Sequence, residues 1–148
     1  MRVIARVTDD AVIDTLRALS ERDHGVLRAD AVLYEAERHD SPLHGYFTWD
    51  DGEAAHKHRL HEARNLIRCT VITEPKTGQE VRAFVSLTTD RQSDGGGYRE
   101  TIRVMGRKDD RAQMLSDALA ELQVFERKYQ TLSELSEVFA ASRKARNK

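Results

Sequence analysis

Apolar residues recur at helical spacing in three places before residue 70 and in one long run after residue 106. Following Thr8, which is suited to an N-cap with Asp9 and Asp10 behind it, Val12, Ile13, Leu16 and Leu19 fall on one helical face. Gly25 supplies the stop. Past the short link Gly25-Val26-Leu27, the stretch from Ala29 to about Arg38 repeats the pattern with Val32, Leu33 and Ala36. Asp40-Ser41-Pro42 then starts a turn or helix, because Ser caps well and Pro suits a first helical position. Leu43, Tyr46, Phe47 and Trp49 follow so closely that most must be packed, which makes them the expected hub of the core. Asp50 with Glu53 resembles a capping box and predicts a third helix from Asp51 to about Arg68. Its buried face is Leu60, Ala63 and Ile67, joined by Ala54, Ala55 and Leu66.

The pattern then changes to β. Cys69 to Thr73 and Val81 to Thr88 are rich in Val, Ile, Thr and Phe and flank the turn composition Glu74 to Glu80, which predicts a hairpin. Residues 2–7 and Tyr98 to Val104 read as further short strands, and Thr89 to Gly97, ending in three glycines, as a mobile loop. Beyond Gly106 there is no Gly or Pro. Leu115, Ala118, Leu119, Leu122, Phe125, Tyr129, Leu132, Leu135 and Phe139 form a helical stripe with heptad spacing over about two heptads, compatible with a coiled coil. Thr131 and Glu134 offer a capping box, so the run is open to a break near Gln130. The stripe is wider than a bare coiled-coil seam, so part should dock on the domain and part should meet another copy. Self-association, most simply as a dimer, is therefore expected through Leu115, Leu119, Leu122, Phe125, Tyr129, Leu132, Leu135 and Phe139.

Composition narrows this picture. In 148 residues one in three is charged, and a mean hydropathy of -0.64 implies a thin core and much wetted surface. The expected organisation is an α+β, helix-rich fold. Residues 1–106 form a winged-helix-like domain with a mobile loop at 89–97, and residues 107–148 form a C-terminal helical segment with a basic tail. No apolar run approaches the roughly 18 residues of a membrane span, and the first six residues lack a secretory h-region. No membrane partner is expected, and the expected location is the cytoplasm. A lone Cys69 forms no intrachain disulfide and no cysteine zinc site. The net charge of -1 rules out nucleic-acid coating by bulk charge, but the distribution is uneven. Residues 1–50 hold six Lys/Arg against ten Asp/Glu, whereas residues 111–148 hold seven against five. Any nucleic-acid contact must come from a local patch.

The third predicted helix carries such a patch. Lys57, His61, Arg64 and Arg68 lie at i, i+4, i+7 and i+11, a nearly straight row, with Arg59 and Asn65 beside them. Cations at helical rise can meet successive phosphates, and an Asn amide can reach a base edge. The same residues also fit an ordinary solvated face with i, i+4 partners such as His58 and Glu62. Three short helices followed by a hairpin is the order of a winged helix-turn-helix, in which the third helix enters the major groove and the hairpin touches backbone. Lys76 and Gln79 would then lie at the wing tip, with Arg82 and Arg91 nearby. Such folds also serve as protein docking modules, so the order by itself does not fix the partner.

The stretch Ser41-Pro42-Leu43-His44-Gly45-Tyr46-Phe47-Thr48-Trp49-Asp50-Asp51, with Ala54-Ala55, Arg59, Ala63-Arg64 and Leu66-Ile67 behind it, resembles a motif of small bacteriophage and prophage proteins. In these, SPLH-x-x-F-x-WDD precedes a helix ending AR-LI. The resemblance runs more loosely through Arg82 to Leu87, Gly97 to Arg99 and Lys128 to Leu135, most of the chain after Gly25. It implies an origin in a mobile element and carries over no catalytic residue. His56, His58, His61 and Glu62 lie close together, but they are not H-E-x-x-H and His56 falls with the apolar stripe, so no metal site is expected. Gly95 to Gly97 lacks the G-K-[ST] of a phosphate loop, and helix capping accounts for Asp50 and Asp51. The expectation is a phage-type DNA-binding protein, architectural or regulatory, without cofactor or catalysis, that contacts duplex DNA through Lys57, Arg59, His61, Arg64, Asn65, Arg68, Lys76 and Arg82. The alternative is an adaptor or assembly module whose C-terminal helices bind a host or phage protein.

Overall fold

The computed structural model describes residues 6–49, 52 and 55–147. The fold is α+β and rich in helix. Helix α1 (Asp10–Arg22) is capped by Asp9 and not by Thr8, because the Asp9 carboxylate reaches the amides of Ala11 (2.9 Å) and Val12 (3.3 Å). It buries Val12, Ile13, Leu16 and Leu19, as the periodicity requires, and it ends where His24 and Gly25 take positive φ. The link that follows is not mere connection. Val26–Leu27 is strand β1, and it leads directly into α2 (Ala29–Ala36), two residues shorter than expected.

Ser41 does not start an α-helix. Its hydroxyl accepts from the Leu43 amide (3.2 Å), and only a 3-10 turn, His44–Tyr46, follows. Leu43 and Phe47 are buried, while Tyr46 and Trp49 pack against the core from its edge. The Trp49 ring stacks on His44 at 4.8 Å, and its indole N–H donates to the His44 carbonyl (3.1 Å). The proposed cap at Asp50 and Glu53, like the strand at residues 2–5, lies outside the described residues. Helix α3 (Ala55–Cys69) buries Glu62, Ala63, Leu66 and Ile67. His56, expected on the apolar face, is exposed.

Two small antiparallel sheets share the core. Strands β2 (Val71–Thr73) and β3 (Glu80–Arg82) form the expected hairpin, with Ile72 opposite Val81. In the turn, the Glu74 carboxylate accepts from the amides of Lys76 (3.2 Å) and Thr77 (2.7 Å). Val7 bridges Thr70 beside the hairpin in a parallel sense. The run expected as one strand to Thr88 divides at Ala83, and β4 (Phe84–Val85) joins a different sheet of order β1-β5-β4. β1 is therefore paired with β5 (Tyr98–Glu100) and not with the β2–β3 hairpin.

The segment expected as a loop at 89–97 opens with one helical turn, α4 (Thr88–Arg91), whose Asp90 is buried. Only the first half of Tyr98 to Val104 is strand. After Glu100 the chain turns into α5 (Thr101–Gly106), with Thr101 and Val104 buried. Glu100 ties these pieces together, accepting from Arg17 of α1 (2.8 Å) and pairing with Arg103 of α5 (3.0 Å).

Helix α6 (Lys108–Tyr129) ends at the expected break, and α7 (Ser136–Arg146) folds back along it after a 3-10 turn, Ser133–Leu135. Leu132 occupies the cap of that turn without a side-chain bond, so the Thr131–Glu134 capping box does not form. Phe139 is buried against Phe125, and Glu126 of α6 binds Arg143 and, at 2.9 Å, Arg146. The expected basic tail is thus helical to Arg146 and partly neutralised. The central core consists of Leu16, Leu27, Val32, Leu43, Leu66, Ile67 and Phe84, all buried, and each contributes about 1.5–3 kcal/mol of transfer free energy. No described helix is long and apolar enough to cross a membrane.

Candidate nucleic-acid interface

The sequence 55–69 contains one carboxylate, Glu62, and the fold removes it from the surface. Glu62 is 9% exposed. It accepts from the Thr48 amide (3.0 Å) and the Thr48 hydroxyl (2.8 Å), and His58 Nε2 lies 3.3 Å away. It serves as a strut under the aromatic turn, not as a solvated i, i+4 partner. Lys57, His61, Arg64 and Arg68 are all exposed. The open face of α3 is consequently basic without a competing acid of its own.

The other expected contacts divide. Arg59 leans away from the row, its guanidinium 5.5 Å from the centre of the Trp49 ring. Asn65 accepts from Arg68 Nη2 (2.6 Å), which leaves its amide N–H groups as the free end. Lys76 is exposed in the hairpin turn, and it is Arg82 that joins the α3 arginines. Arg64, Arg68 and Arg82 line a cleft of about 490 Å³ together with Arg91, the glycines 95–97, Tyr98 and, from α6, Asp117 and Glu121. Among the described residues neither Arg64 nor Arg82 makes an ion pair.

Tertiary contacts hold the remaining parts of the cleft. Arg91 donates to the Ser86 carbonyl (2.6 Å) and Thr88 Oγ1 (2.6 Å) and lies 3.5 Å from Asp117. Asp117 accepts from the Thr88 amide (2.8 Å), the Thr88 hydroxyl (2.7 Å) and Gln113 (2.8 Å), so its oxygens are spent within the fold. Burial raises the Asp117 carboxyl, but these hydrogen bonds and Arg91 outweigh it and leave the group below its ordinary value. The glycine loop is anchored from both sides. Arg28 donates to the carbonyls of Gly96 (3.0 Å) and Asp94 (3.3 Å), and Arg99 grips buried Asp90 through contacts of 2.8–3.0 Å. Gly97 is required for close approach, since a Cβ there would lie 2.6 Å from Val26 Cγ1.

Arg91, Asp117 and Glu121 reach this site through contacts between distant segments, so spacing along the chain does not place them there. Glu62 did carry a signal. It lies one position from Ala63 on a helix whose apolar face has gaps, but a carboxylate is seldom assigned to such a face. Of the residues expected to self-associate, Leu115, Leu122, Phe125 and Leu132 are exposed, Leu119, Tyr129 and Leu135 are half-buried, and Phe139 is buried. The described residues contain no group of three His, Cys, Asp or Glu placed to hold a metal ion. Comparison of the chain with family models, with curated proteins and with solved structures gives no match.

Proposed function

We propose that this protein binds duplex DNA without catalysis, in an architectural or regulatory role in the bacterial cytoplasm, and that it belongs to a mobile element. The observation that carries the reading is the acid-free basic face of α3, Lys57, His61, Arg64 and Arg68, continued by Arg82. Cations spaced at helical rise and continuous with a strand arginine suit successive phosphates, and the Asn65 amide offers a hydrogen bond to a base edge. The order α1, β1, α2, α3, β2–β3 supports a winged-helix-like use of α3, although here β1 pairs with β5 and the hairpin stands on its own.

The test is a titration of labelled duplex at two salt concentrations. With Lys57, Arg64, Arg68 and Arg82 on phosphates, the affinity should fall about a hundredfold between about 50 and 200 mM salt. Lys57→Glu with Arg64→Glu and Arg68→Glu should abolish binding and leave the melting temperature intact, because none of the three packs in the core. Wild-type protein that binds no duplex at low salt would end this reading.

One observation favours a second role. Helix α6 buries none of its residues, and Leu115, Leu122, Val124 and Val138 are exposed on the α6–α7 hairpin. Such a surface fits a second copy or a protein partner. A symmetric pair would present two α3 helices to one duplex.

A further inference from the structure

The arginine cleft is not a place for a duplex. At about 490 Å³ it is on the scale of sites that take small organic ligands, and a base-paired helix is far too wide to enter. Arg91, Asp117 and Glu121 also line a second groove of about 480 Å³, together with Val124, Phe125, Lys128 and Tyr129. We propose that these two adjoining grooves together form a channel for unpaired nucleotides running off a duplex seated on α3, an inference that rests on the DNA reading above.

The two walls have opposite chemistry, and that asymmetry orients a strand. Arg64 and Arg82, with no ion pair among the described residues, belong both to the face that takes the duplex and to the lining of the cleft, so the phosphates at the junction where the strands part fall on them. From the α6 side comes Glu121, exposed and likewise without an ion pair among the described residues. A carboxylate repels phosphate, but it accepts from the amino groups of cytosine, adenine and guanine. Asp117 adds nothing to that wall, since Thr88 and Gln113 occupy its oxygens. The backbone of the strand therefore lies on the arginines and its bases turn toward α6.

Aromatic rings wait where those bases would arrive. Phe125 and Tyr129 sit 4.8 Å apart at 52°, and Phe125 stays 44% exposed although Phe139 packs against it. Lys128 Nζ lies 5.0 Å from the centre of the Tyr129 ring, a cation–π contact within α6. A half-open aromatic pair at the end of an arginine-lined channel is the arrangement that stacks unpaired bases whatever their sequence.

The experiment uses the full chain and three labelled oligonucleotides at one salt concentration: a blunt duplex, the same duplex with a short cytidine overhang on either end, and the cytidine strand alone. An overhang should tighten binding about tenfold, and Phe125→Leu with Tyr129→Leu should remove that advantage while blunt-duplex affinity stays unchanged. Because Phe125 also packs on Phe139, a second measurement is independent of the variant's folding. Iodouracil placed in the overhang should crosslink wild-type protein at Phe125 or Tyr129 on irradiation. An overhang that brings no advantage, or crosslinks that map only to α3, overturns the channel and leaves the duplex reading intact. Single-strand binding and α6 crosslinks without any blunt-duplex binding would uphold the channel and sink the duplex reading.

Discussion

Replacing Asp90 by Ala removes the buried end of an ion pair that holds one wall of the cleft. Asp90 is 5% exposed and meets Arg99 in a bidentate grip at 2.8–3.0 Å, and a carboxylate oxygen also accepts from the Leu87 amide at 3.3 Å. The same grip holds the Arg99 guanidinium above its ordinary value. Taking one partner from a fully buried pair costs about 3–5 kcal/mol, because the other charge is left unpaired. Here the penalty is smaller, since the Arg99 side chain is 27% exposed and Asp110 lies 3.5 Å away as a fallback. About 2–3 kcal/mol is therefore expected, or a melting temperature lower by about 6–10 °C at this chain length. Arg99→Met removes the stranded cation and keeps an apolar stem. The double variant should consequently lose about 1–2 kcal/mol less than the sum of the single losses. Thermal melts by circular dichroism at neutral pH measure all three. Single losses below about 0.5 kcal/mol, or strict additivity, would show that the pair is not coupled and that the loop is held by other contacts.

Gly97→Ala should destabilise by about 1–3 kcal/mol in the same assay, since its Cβ would lie 2.6 Å from Val26 Cγ1 and push β1 from β5; an unchanged melting temperature would mean the strand yields freely. Trp49→Ala loses its stack on His44, its hydrogen bond and its contact with Phe47, and should cost about 2–3 kcal/mol, below the figure for fully buried aromatics because the ring lies at the edge of the core. Asp117 gives a pH signature. Its folded value lies below the unfolded one, so its stabilisation is present above the unfolded value of about 4 and is lost as pH falls through the folded value. The melting-temperature gap between wild type and Asp117→Asn should be constant from about pH 5 to 7 and close in more acid solution; a gap independent of pH would remove the carboxylate from the account. Leu115→Glu with Leu122→Glu should weaken self-association measured by sedimentation, and a wild-type protein that is monomeric at high micromolar concentration would show that this apolar face is not used between copies.

Local rules reached the helices because each apolar face is written at the helical period. Leu16, Val32 and Leu66 are buried where that period puts them, and the chain breaks after Tyr129 near the position expected. The exposed row on α3 was legible for the same reason, since a cation placed opposite a buried leucine has only solvent to face. Short strands were not legible in this way. Val26–Leu27 is too brief to show a period, and it becomes β1 by pairing with Tyr98 and Arg99 of β5, beside which Gly97 leaves room for the Val26 side chain. Tyr98 to Val104 has strand composition throughout, but Thr101 N donates to the Ala83 carbonyl (2.9 Å) and its hydroxyl to that of Arg82 (2.6 Å), after which α5 begins. The sequence by itself determined α1, α2, α3 and the α6–α7 pair, the hairpin turn and the basic face of α3. Tertiary structure decided which strands pair, where Glu62 spends its charge, and that Arg82, Arg91 and α6 line a cleft with that face. These depend on contacts between segments far apart in the chain, which no local period encodes.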